Sequence, residues 1–280
     1  MSDETILDRI VATKREEVAE ARRLRPLAEV RARVGDAPPP RDFRAAVVRP
    51  GEVRLIAEVK KASPSKGIIR ANFNPVAIAR SYVGGGAAAL SVLTDAEYFQ
   101  GSLEIFAQVR AAVDLPILRK EFMIAPYQFY EARAAGADAV LLIASILSAA
   151  QLRDFHALAL ELHMTPLVET HSAKDVERVL TEIEPALLGI NNRDLHDSHF
   201  RTTLDHTDRM LPVARAALPA GRALPPVVSE SGIHSADDVA RLAALGVSAV
   251  LVGESLMRQP DPGQAARELM ARGRRSESPA

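Results

Sequence analysis

The chain has 280 residues, of which 48% are apolar and 25% charged, and its formal net charge is −1. This balance is typical of a globular protein with a large core, and it argues against the basic domains of nucleic-acid-binding proteins. The chain has no cysteine, which excludes disulfides, thiolate metal sites and cysteine nucleophiles. The acidic first residues lack an apolar signal core, and no apolar run reaches the ~18 residues of a membrane span. We therefore predict a cytoplasmic protein that is neither exported nor inserted into a membrane.

The first 50 residues carry helical patterns and a run of prolines. A helix is predicted over 6–24 because apolar residues recur at helical spacing, at Ile6, Ile10, Val11, Val18 and Ala19. Shorter helices are predicted over 27–34 and 42–48, on either side of the prolines at 38–40. Because roughly 45 residues are too few for an independent core, we expect residues 1–50 to form a helical extension packed on the domain that follows.

From Arg54 onward, short apolar runs alternate with helical stretches. Eight runs predict buried parallel strands, over 54–60, 88–94, 116–122, 139–144, 165–170, 187–192, 226–231 and 249–254. Helices are predicted over 75–83, 102–113, 126–135, 148–162, 172–183, 204–218, 235–245 and 264–274. Eight such units predict an α/β fold, a (β/α)8 TIM barrel over 51–271, with a disordered tail over 272–280. An open doubly wound sheet is disfavoured because the glycines at 84–86 follow a helix instead of the first strand.

Polar residues close most of these runs. In a (β/α)8 barrel the active site lies at the carboxyl ends of the strands, so these residues are site candidates. The candidates are Glu58 and Lys60, Lys120 and Glu121, Glu169, Asn191, Asn192 and Arg193, Glu230, Ser231 and Gly232, and Gly253, Glu254 and Ser255. Charged groups in an apolar barrel are costly unless they are paired, so packing does not explain so many of them. Each of these residues could instead have a structural role. Glu58 and Lys60 could form an ion pair at the barrel rim, and Glu169 could cap a helix. For Lys120 the alternative is a solvated strand end, and for Arg193 a loop anchor.

Two regions have the composition of a phosphate site. The loop Ala62–Gly67 combines hydroxyl groups with a proline, a lysine and a glycine. Ser231-Gly232 and Gly253-Glu254 follow the seventh and eighth runs, where barrels often bind phosphate through backbone N–H groups. The Glu254 carboxylate repels an anion, so only its backbone would contribute. Ser-Gly pairs are common in turns, so the joint placement of these pairs is the informative observation.

The seven histidines show no metal-binding pattern. The chain has no His-Glu-x-x-His motif, and the carboxylates near the histidines lack the spacing of a ligand set. Asp194, His196, Asp197 and His199 are interpreted as solvated loop residues. We therefore predict that the protein has no catalytic metal.

Seven sequence motifs follow one another along the barrel. They are IAEVKKASPSKG at 56–67, LSVLT with YFQGS at 90–102, LRKEF at 118–122, LVE at 167–169, GINNRDL at 189–195, SESGI at 229–233 and LVGESLM at 251–257. In this order they resemble the motifs of the indole-3-glycerol phosphate synthase family, whose members also carry helices before the barrel. The resemblance extends from about Arg54 to Arg258. One departure is Lys61, where some relatives have arginine.

The resemblance implies a lyase of tryptophan biosynthesis that needs neither cofactor nor metal. Its phosphorylated substrate, 1-(2-carboxyphenylamino)-1-deoxyribulose 5-phosphate, is converted to indole-3-glycerol phosphate with loss of carbon dioxide and water. Lys120 matches the acid that protonates the ketone oxygen, while Lys60 binds the substrate carboxylate or assists dehydration. We expect partial burial among other cations to lower the pKa of the acid toward neutrality.

The resemblance also implies roles for the other site residues. Glu169 matches the general base of dehydration, and Glu58 matches the carboxylate that orients the lysines. Polar contacts to the reacting part and to the substrate carboxylate are implied for Asn191, Ser231 and Arg193. Apolar walls around the aromatic ring are implied for Phe99 and Phe122. Contacts to the phosphate group of the substrate are implied for Ser63, Gly232, Gly253 and Glu254, with the last two acting mainly through their backbone.

The residues alone leave three alternative functions open. A class I aldolase-like barrel would also place a lysine at a strand end, to form a Schiff base. A phosphoribosylanthranilate isomerase would share the phosphate site without needing both Lys60 and Lys120. A non-catalytic metabolite-binding barrel would not need two carboxylates beside two lysines.

Two further expectations concern assembly and motion. We expect a single activity, since no second barrel is attached. We expect a monomer because no exposed apolar surface can be read from the sequence, and weak association with other tryptophan-pathway enzymes stays open. The loop 63–72 is expected to be mobile and to close over the substrate.

Overall fold

The computed structural model describes residues 5–193 and 202–273, and a closed barrel of eight strands forms its centre. The strands are β1 (Arg54–Val59), β2 (Ala89–Leu93), β3 (Ile117–Lys120), β4 (Ala139–Ile143), β5 (Thr165–Thr170), β6 (Leu187–Asn191), β7 (Val227–Glu230) and β8 (Ala249–Val252). Every neighbouring pair is parallel, and β8 closes the barrel against β1. The predicted (β/α)8 TIM barrel is confirmed.

Three helices precede the barrel, and the others connect or follow its strands. They are α1 (Ile6–Leu24), α2 (Leu27–Val34), α3 (Phe43–Val47), α4 (Pro75–Gly84), α5 (Leu103–Ala112), α6 (Pro126–Ala134), α7 (Ala149–Glu161), α8 (Ala173–Glu182), α9 (Asp205–Ala216), α10 (Ala236–Ala244), α11 (Glu254–Met257) and α12 (Pro262–Leu269). Serine side chains accept a backbone N–H at the start of four of them, at Ser102, Ser148, Ser172 and Ser235. These caps explain why the predicted starts of these helices are accurate.

The last helix differs from its predicted bounds, and three short elements were not predicted. The helix predicted over 264–274 begins at Pro262, because Asp261 caps it, and a 3-10 turn over Met270–Arg272 follows it. A hairpin pairs Ala62–Ser63 with Gly67–Ile68, and α11 has only four residues. A 3-10 turn also covers Ala144–Ile146. Elements this short carry no readable hydrophobic period.

Helix α3 closes the amino-terminal end of the barrel. Phe43 and Val47 are fully buried in the same cluster as the inward-facing strand residues Ile56, Leu118 and Leu167. Barrel interiors are filled by layers of side chains, and α3 adds its own side chains beneath the lowest layer. The opposite, carboxyl end therefore remains as the open mouth of the barrel.

The other two amino-terminal helices lie against the outside and the mouth of the barrel. Helix α2 packs on α6, where Arg31 donates a hydrogen bond to Tyr130. Helix α1 also contacts α6, and its residues Ile6, Leu7 and Ile10 reach the mouth. The division into an extension over 1–50 and a barrel over 51–271 stays a prediction. Residues 274–280 of the predicted tail lie outside the described residues.

One buried carboxylate ties the amino-terminal segment to the barrel. Asp138 accepts the N–H groups of Arg41 and Ile117 at 2.7 Å, and it pairs with Arg110 at 2.6 Å. In Asp138→Ala, Arg110 loses its buried partner, and we expect the free energy of unfolding to fall by about 3 kcal/mol. Urea denaturation measures this value. The control variant Asp114→Ala removes only an exposed partner of Arg41 and should lower the free energy of unfolding by under ~0.5 kcal/mol. Equal urea midpoints for the two variants would contradict the role of Asp138.

Candidate active site

The mouth of the barrel contains a cavity of about 720 Å³. The side chains predicted to be catalytic all line this cavity, namely Glu58, Lys60, Lys120, Glu169, Asn191 and Ser231. Most of the residues predicted to bind substrate or phosphate line it too, namely Phe99, Phe122, Arg193, Gly232, Gly253 and Glu254. Ser63 does not: it is buried in the hairpin, and its hydroxyl has no hydrogen-bond partner among the described residues. Its neighbours Pro64, Ser65 and Lys66 line the cavity instead.

The floor of the cavity is a charged layer contributed by the odd-numbered strands. Its members are Glu58 of β1, Lys120 of β3, Glu169 of β5 and Glu230 of β7. Each lies two residues after an inward-facing apolar residue, which is Ile56, Leu118, Leu167 and Val228 respectively. Because side chains alternate along a strand, and alternate strands fill a common layer, these four side chains point into the barrel at one level.

Lys120 bridges two carboxylates from across the barrel. Its Nζ lies 2.6 Å from Glu169 Oε2 and 2.9 Å from Glu230 Oε2. Both carboxylates are buried, whereas the Lys120 side chain is 14% exposed and faces the cavity. The ammonium group is therefore held in place from below and is accessible to a molecule in the cavity.

A second lysine–glutamate pair lies at the end of β1. Lys60 Nζ is 2.5 Å from Glu58 Oε1. The Glu58 carboxylate has space because the residue beside it, at the end of the adjacent strand β8, is a glycine: a Cβ at Gly253 would lie 2.4 Å from Glu58 Oε1. Gly189 leaves the same space for Glu230. Two glycines thus accommodate two of the buried carboxylates at the site.

The electrostatic environment of Lys120 differs from the expected one. Burial alone would lower the pKa of Lys120, but the carboxylates of Glu169, Glu230 and Glu58 outweigh it and raise the pKa above its ordinary value. In return, the Lys120 ammonium overcomes the effect of burial on Glu169 and holds the pKa of Glu169 well below its usual range. The predicted lowering of the pKa of this lysine is therefore wrong, because its nearest charged groups are carboxylates and not cations.

An apolar wall forms one side of the cavity. The rings of Phe99 and Phe122 are 6.0 Å apart at an interplanar angle of 40°, a tilted arrangement that aromatic pairs favour. Ile6, Leu7 and Ile10 of α1 also line the cavity. This surface is suited to a flat, apolar group.

The polar side of the cavity lies beyond β6, β7 and β8. Ser231 and Gly232 have positive φ angles of 68° and 73°, and a Cβ at Gly232 would meet Thr202 at 2.6 Å. Gly253 precedes the short helix α11. Arg193 Nη1 donates to Ser65 Oγ at 3.1 Å, and its Nη2 lies 3.8 Å from Glu254 Oε2. Arg193 therefore joins the end of β6 to the hairpin, and residues 194–199, with the predicted solvated loop residues, lie outside the described ranges.

Two buried residues at the site had no predicted role. Glu230 is one of the strand-end candidates, and its position two residues after Val228 places it in the inward-facing register, but the resemblance assigns a role only to its neighbour Ser231. The His171 imidazole is buried, with Nε2 3.1 Å from Glu169 Oε1. The contribution of α1 could not be deduced from the strand-end rule, because that rule considers only the barrel.

The described residues contain no group of three or more side chains arranged to hold a metal ion. Over the same ranges, no helix has the length and apolarity to cross a membrane.

Two solved structures share the architecture of this chain. One is "Thiamine phosphate pyrophosphorylase from Pyrococcus furiosus", with a TM-score of 0.55 and 17% identity, covering 78% of this chain and 94% of that one. Another is 3-hexulose-6-phosphate synthase from Salmonella typhimurium, with a TM-score of 0.60 and 16% identity, covering 78% and 97%. At such low identity these likenesses show the fold alone.

Sequence comparison is more specific. A family model described as indole-3-glycerol phosphate synthase matches residues 7–269. The chain is 51% identical over 274 residues to the indole-3-glycerol phosphate synthase of Laribacter hongkongensis, covering 97% of this chain and 100% of the relative. It is 49% identical over 269 residues to that of Albidiferax ferrireducens, covering 95% and 98%. Because the match extends over nearly the whole chain and its relatives, the chain belongs to the indole-3-glycerol phosphate synthase family.

Proposed function

We propose that this cavity carries out the ring closure after which the family is named. The substrate is 1-(2-carboxyphenylamino)-1-deoxyribulose 5-phosphate, and the products are indole-3-glycerol phosphate, carbon dioxide and water. The observation that carries the proposal is the position of Lys120, held by two carboxylates on the floor of a cavity that also contains the Glu58–Lys60 pair. The reaction requires an acid and a base within reach of one substrate, and this floor supplies both.

Ring closure uses the ammonium group of Lys120. The ring carbon that bears the carboxylate attacks the ketone carbon, and the ketone oxygen takes a proton from Lys120. An alkoxide is a stronger base than an amine, so an ammonium with a raised pKa can still protonate it. The phenylalanine pair, Phe99 and Phe122, binds the aromatic ring of the substrate.

The later steps restore the aromatic ring. Loss of carbon dioxide leaves the electron pair of the broken bond in the ring. The hydroxyl group then departs as water with a proton from Lys60, whose alternative role is to pair with the substrate carboxylate before carbon dioxide is lost. Glu169, whose pKa is held low, removes the proton from the carbon beside the nitrogen. Glu58 orients Lys60, and Asn191, Ser231 and Arg193 contact the reacting part or the substrate carboxylate.

The phosphate binds on the polar side of the cavity in this proposal. Gly232 and Gly253 expose backbone at the ends of β7 and β8, and Glu254 contributes through its backbone. Ser63 contributes through the hairpin that it helps to form, since its side chain is not in the lining. We further propose that the protein acts in the cytoplasm as a monomer, without cofactor or metal.

The raised pKa of Lys120 favours this reaction over an aldolase-type Schiff base. Schiff-base formation needs a neutral amine, whereas the carboxylates around Lys120 keep it an ammonium. Borohydride should therefore trap no sugar phosphate on Lys120.

Fluorescence tests the proposed function directly. The chain contains no tryptophan, so an indole product appears with little protein background. We expect the carboxyphenylamino-deoxyribulose phosphate to give an indole signal with one carbon dioxide per indole. A folded protein that binds this substrate and forms no indole would overturn the proposal.

The ionisation of Glu230 should limit activity at high pH. Burial raises the pKa of Glu230 to about 8; the Glu169 charge adds to this effect, and the Lys120 ammonium opposes it. Above this pH a second carboxylate charge holds the proton on Lys120 more tightly, so Lys120 becomes a weaker acid. We expect kcat/KM to fall above about pH 8, and Glu230→Gln, which stays neutral, to move the decline to higher pH. An unchanged profile in this variant would exclude Glu230 as the cause.

A further inference from the structure

Helix α1 carries a buried lysine that the proposed reaction steps do not use. The Lys14 side chain is 3% exposed, and its Nζ lies 2.9 Å from Asp95 Oδ2 and 3.0 Å from Glu121 Oε1. Glu17 approaches it at 2.5 Å from the same helix. Buried ammonium groups are costly unless they are paired, and here three carboxylates surround one ammonium. Although burial opposes the charged form, Glu121 and Asp95 raise the pKa of Lys14 above its ordinary value.

The two barrel carboxylates that hold Lys14 also hold the aromatic wall. Asp95 Oδ1 accepts the backbone N–H groups of Tyr98 and Phe99, at 2.8 and 3.2 Å. Glu121 Oε1 accepts the backbone N–H of Phe122 at 2.8 Å. Each carboxylate therefore connects the Lys14 ammonium to the backbone of one phenylalanine of the wall.

Lys14 also fixes the position of α1 over the cavity. Ile6, Ile10 and Lys14 are spaced four residues apart, so they lie on one face of the helix. The two isoleucines line the cavity, and Lys14 is the charged group in this apolar face. The neighbouring residue Thr13 adds a contact, with its Oγ1 3.1 Å from the hydroxyl of Tyr98.

Removal of the Lys14 ammonium would take away the positive charge that lies between the buried carboxylates of Asp95 and Glu121. Asp95 is fully buried and Glu121 nearly so. Glu121 keeps a hydrogen bond from Thr94 and an ion pair with Arg119 at 3.7 Å, whereas Asp95 loses the ammonium that pairs with it. A buried carboxylate that loses a neighbouring cation takes up a proton, admits water or moves. Any of these responses displaces the backbone that carries Phe99 and Phe122.

We propose that Lys14 is a positioning residue for the aromatic part of the substrate, because it holds helix α1, Phe99 and Phe122 in the arrangement that encloses the carboxyphenyl ring. This inference rests on the proposed function, which places an aromatic ring against this wall. Gly232 and Gly253, on the phosphate side, lie on β7 and β8 loops that make none of the Lys14 contacts.

Steady-state kinetics of Lys14→Met test the proposal. The wall contacts the ring in both the ground state and the transition state, so its loss should raise KM about tenfold and change kcat less than about threefold. Inhibition by indole-3-glycerol phosphate should weaken by a similar factor, and inhibition by glycerol 3-phosphate should stay the same. Lys14→Arg keeps the charge and should recover most of the affinity.

Arg110→Met is the matched control. It breaks a buried ion pair with Asp138 at the opposite end of the barrel, so it should lower the thermal midpoint and leave KM unchanged. If Lys14→Met does not fold, Asp95→Asn replaces it, since the amide oxygen keeps the acceptor for Phe99 and loses the charge. An unchanged KM in the folded variant, or equal weakening of both inhibitors, overturns the positioning role. A wild-type protein without turnover overturns the proposed function instead.

Discussion

A Lys120→Met variant is expected to lose at least about a thousandfold in kcat for ring closure. General acid catalysis contributes roughly 10²–10⁴-fold, and stabilisation of the developing alkoxide by the same ammonium adds to it. Methionine has a similar length and cannot donate a proton. Lys120 acts before the bond between the ring carbon and the carboxylate breaks. This variant should therefore release neither carbon dioxide nor indole. Quenched single-turnover reactions with the carboxyl carbon labelled measure both products.

The conservative variant Lys120→Arg separates proton donation from charge. A guanidinium keeps the positive charge between Glu169 and Glu230, but it does not give up its proton in proteins. Lys120→Arg should therefore fold as well as wild type and remain at least about a hundredfold less active. Recovery of wild-type kcat in this variant would show that Lys120 acts by charge alone.

The barrel could be predicted from the sequence because its strands are buried on both faces. Such strands are short, continuously apolar segments, as in Ala139–Ile143, and serine caps such as Ser148 mark the helices between them. The same regularity places the strand-end candidates in the cavity, since a residue two positions after an inward-facing apolar residue points into the mouth.

The pairing of the charged residues could not be predicted from their positions. The charged residue at each strand end could be predicted. The partners of Lys120 could not, because they depend on the register of the barrel, which decides which strand ends lie at the same level in the mouth. The nearest charges proved to be Glu169 and Glu230, which reverses the expected direction of the pKa shift of Lys120. Ser63 shows the same limit, because a two-residue strand turns its side chain away from the cavity.

Lys14 did leave a signal in the sequence. It is four residues after Ile10 and four before Val18, so it occupies the apolar stripe of α1. A single lysine within an apolar stripe indicates a buried carboxylate on the surface that the helix covers. Identification of that carboxylate as Asp95 or Glu121 required the structure, since both are far from Lys14 along the chain.

A Glu169→Gln variant is expected to stop the reaction after decarboxylation. Glu169 removes a proton only in dehydration, whereas Lys120 retains Glu230 as a partner and can still protonate the ketone. We expect kcat for indole formation to fall roughly 10²–10³-fold, with carbon dioxide still released in the first turnover. Glu131→Gln is the matched control, since it lies outside the cavity and pairs with Arg119. Simultaneous loss of carbon dioxide and indole in Glu169→Gln would place Glu169 in ring closure, together with Lys120, and not in dehydration.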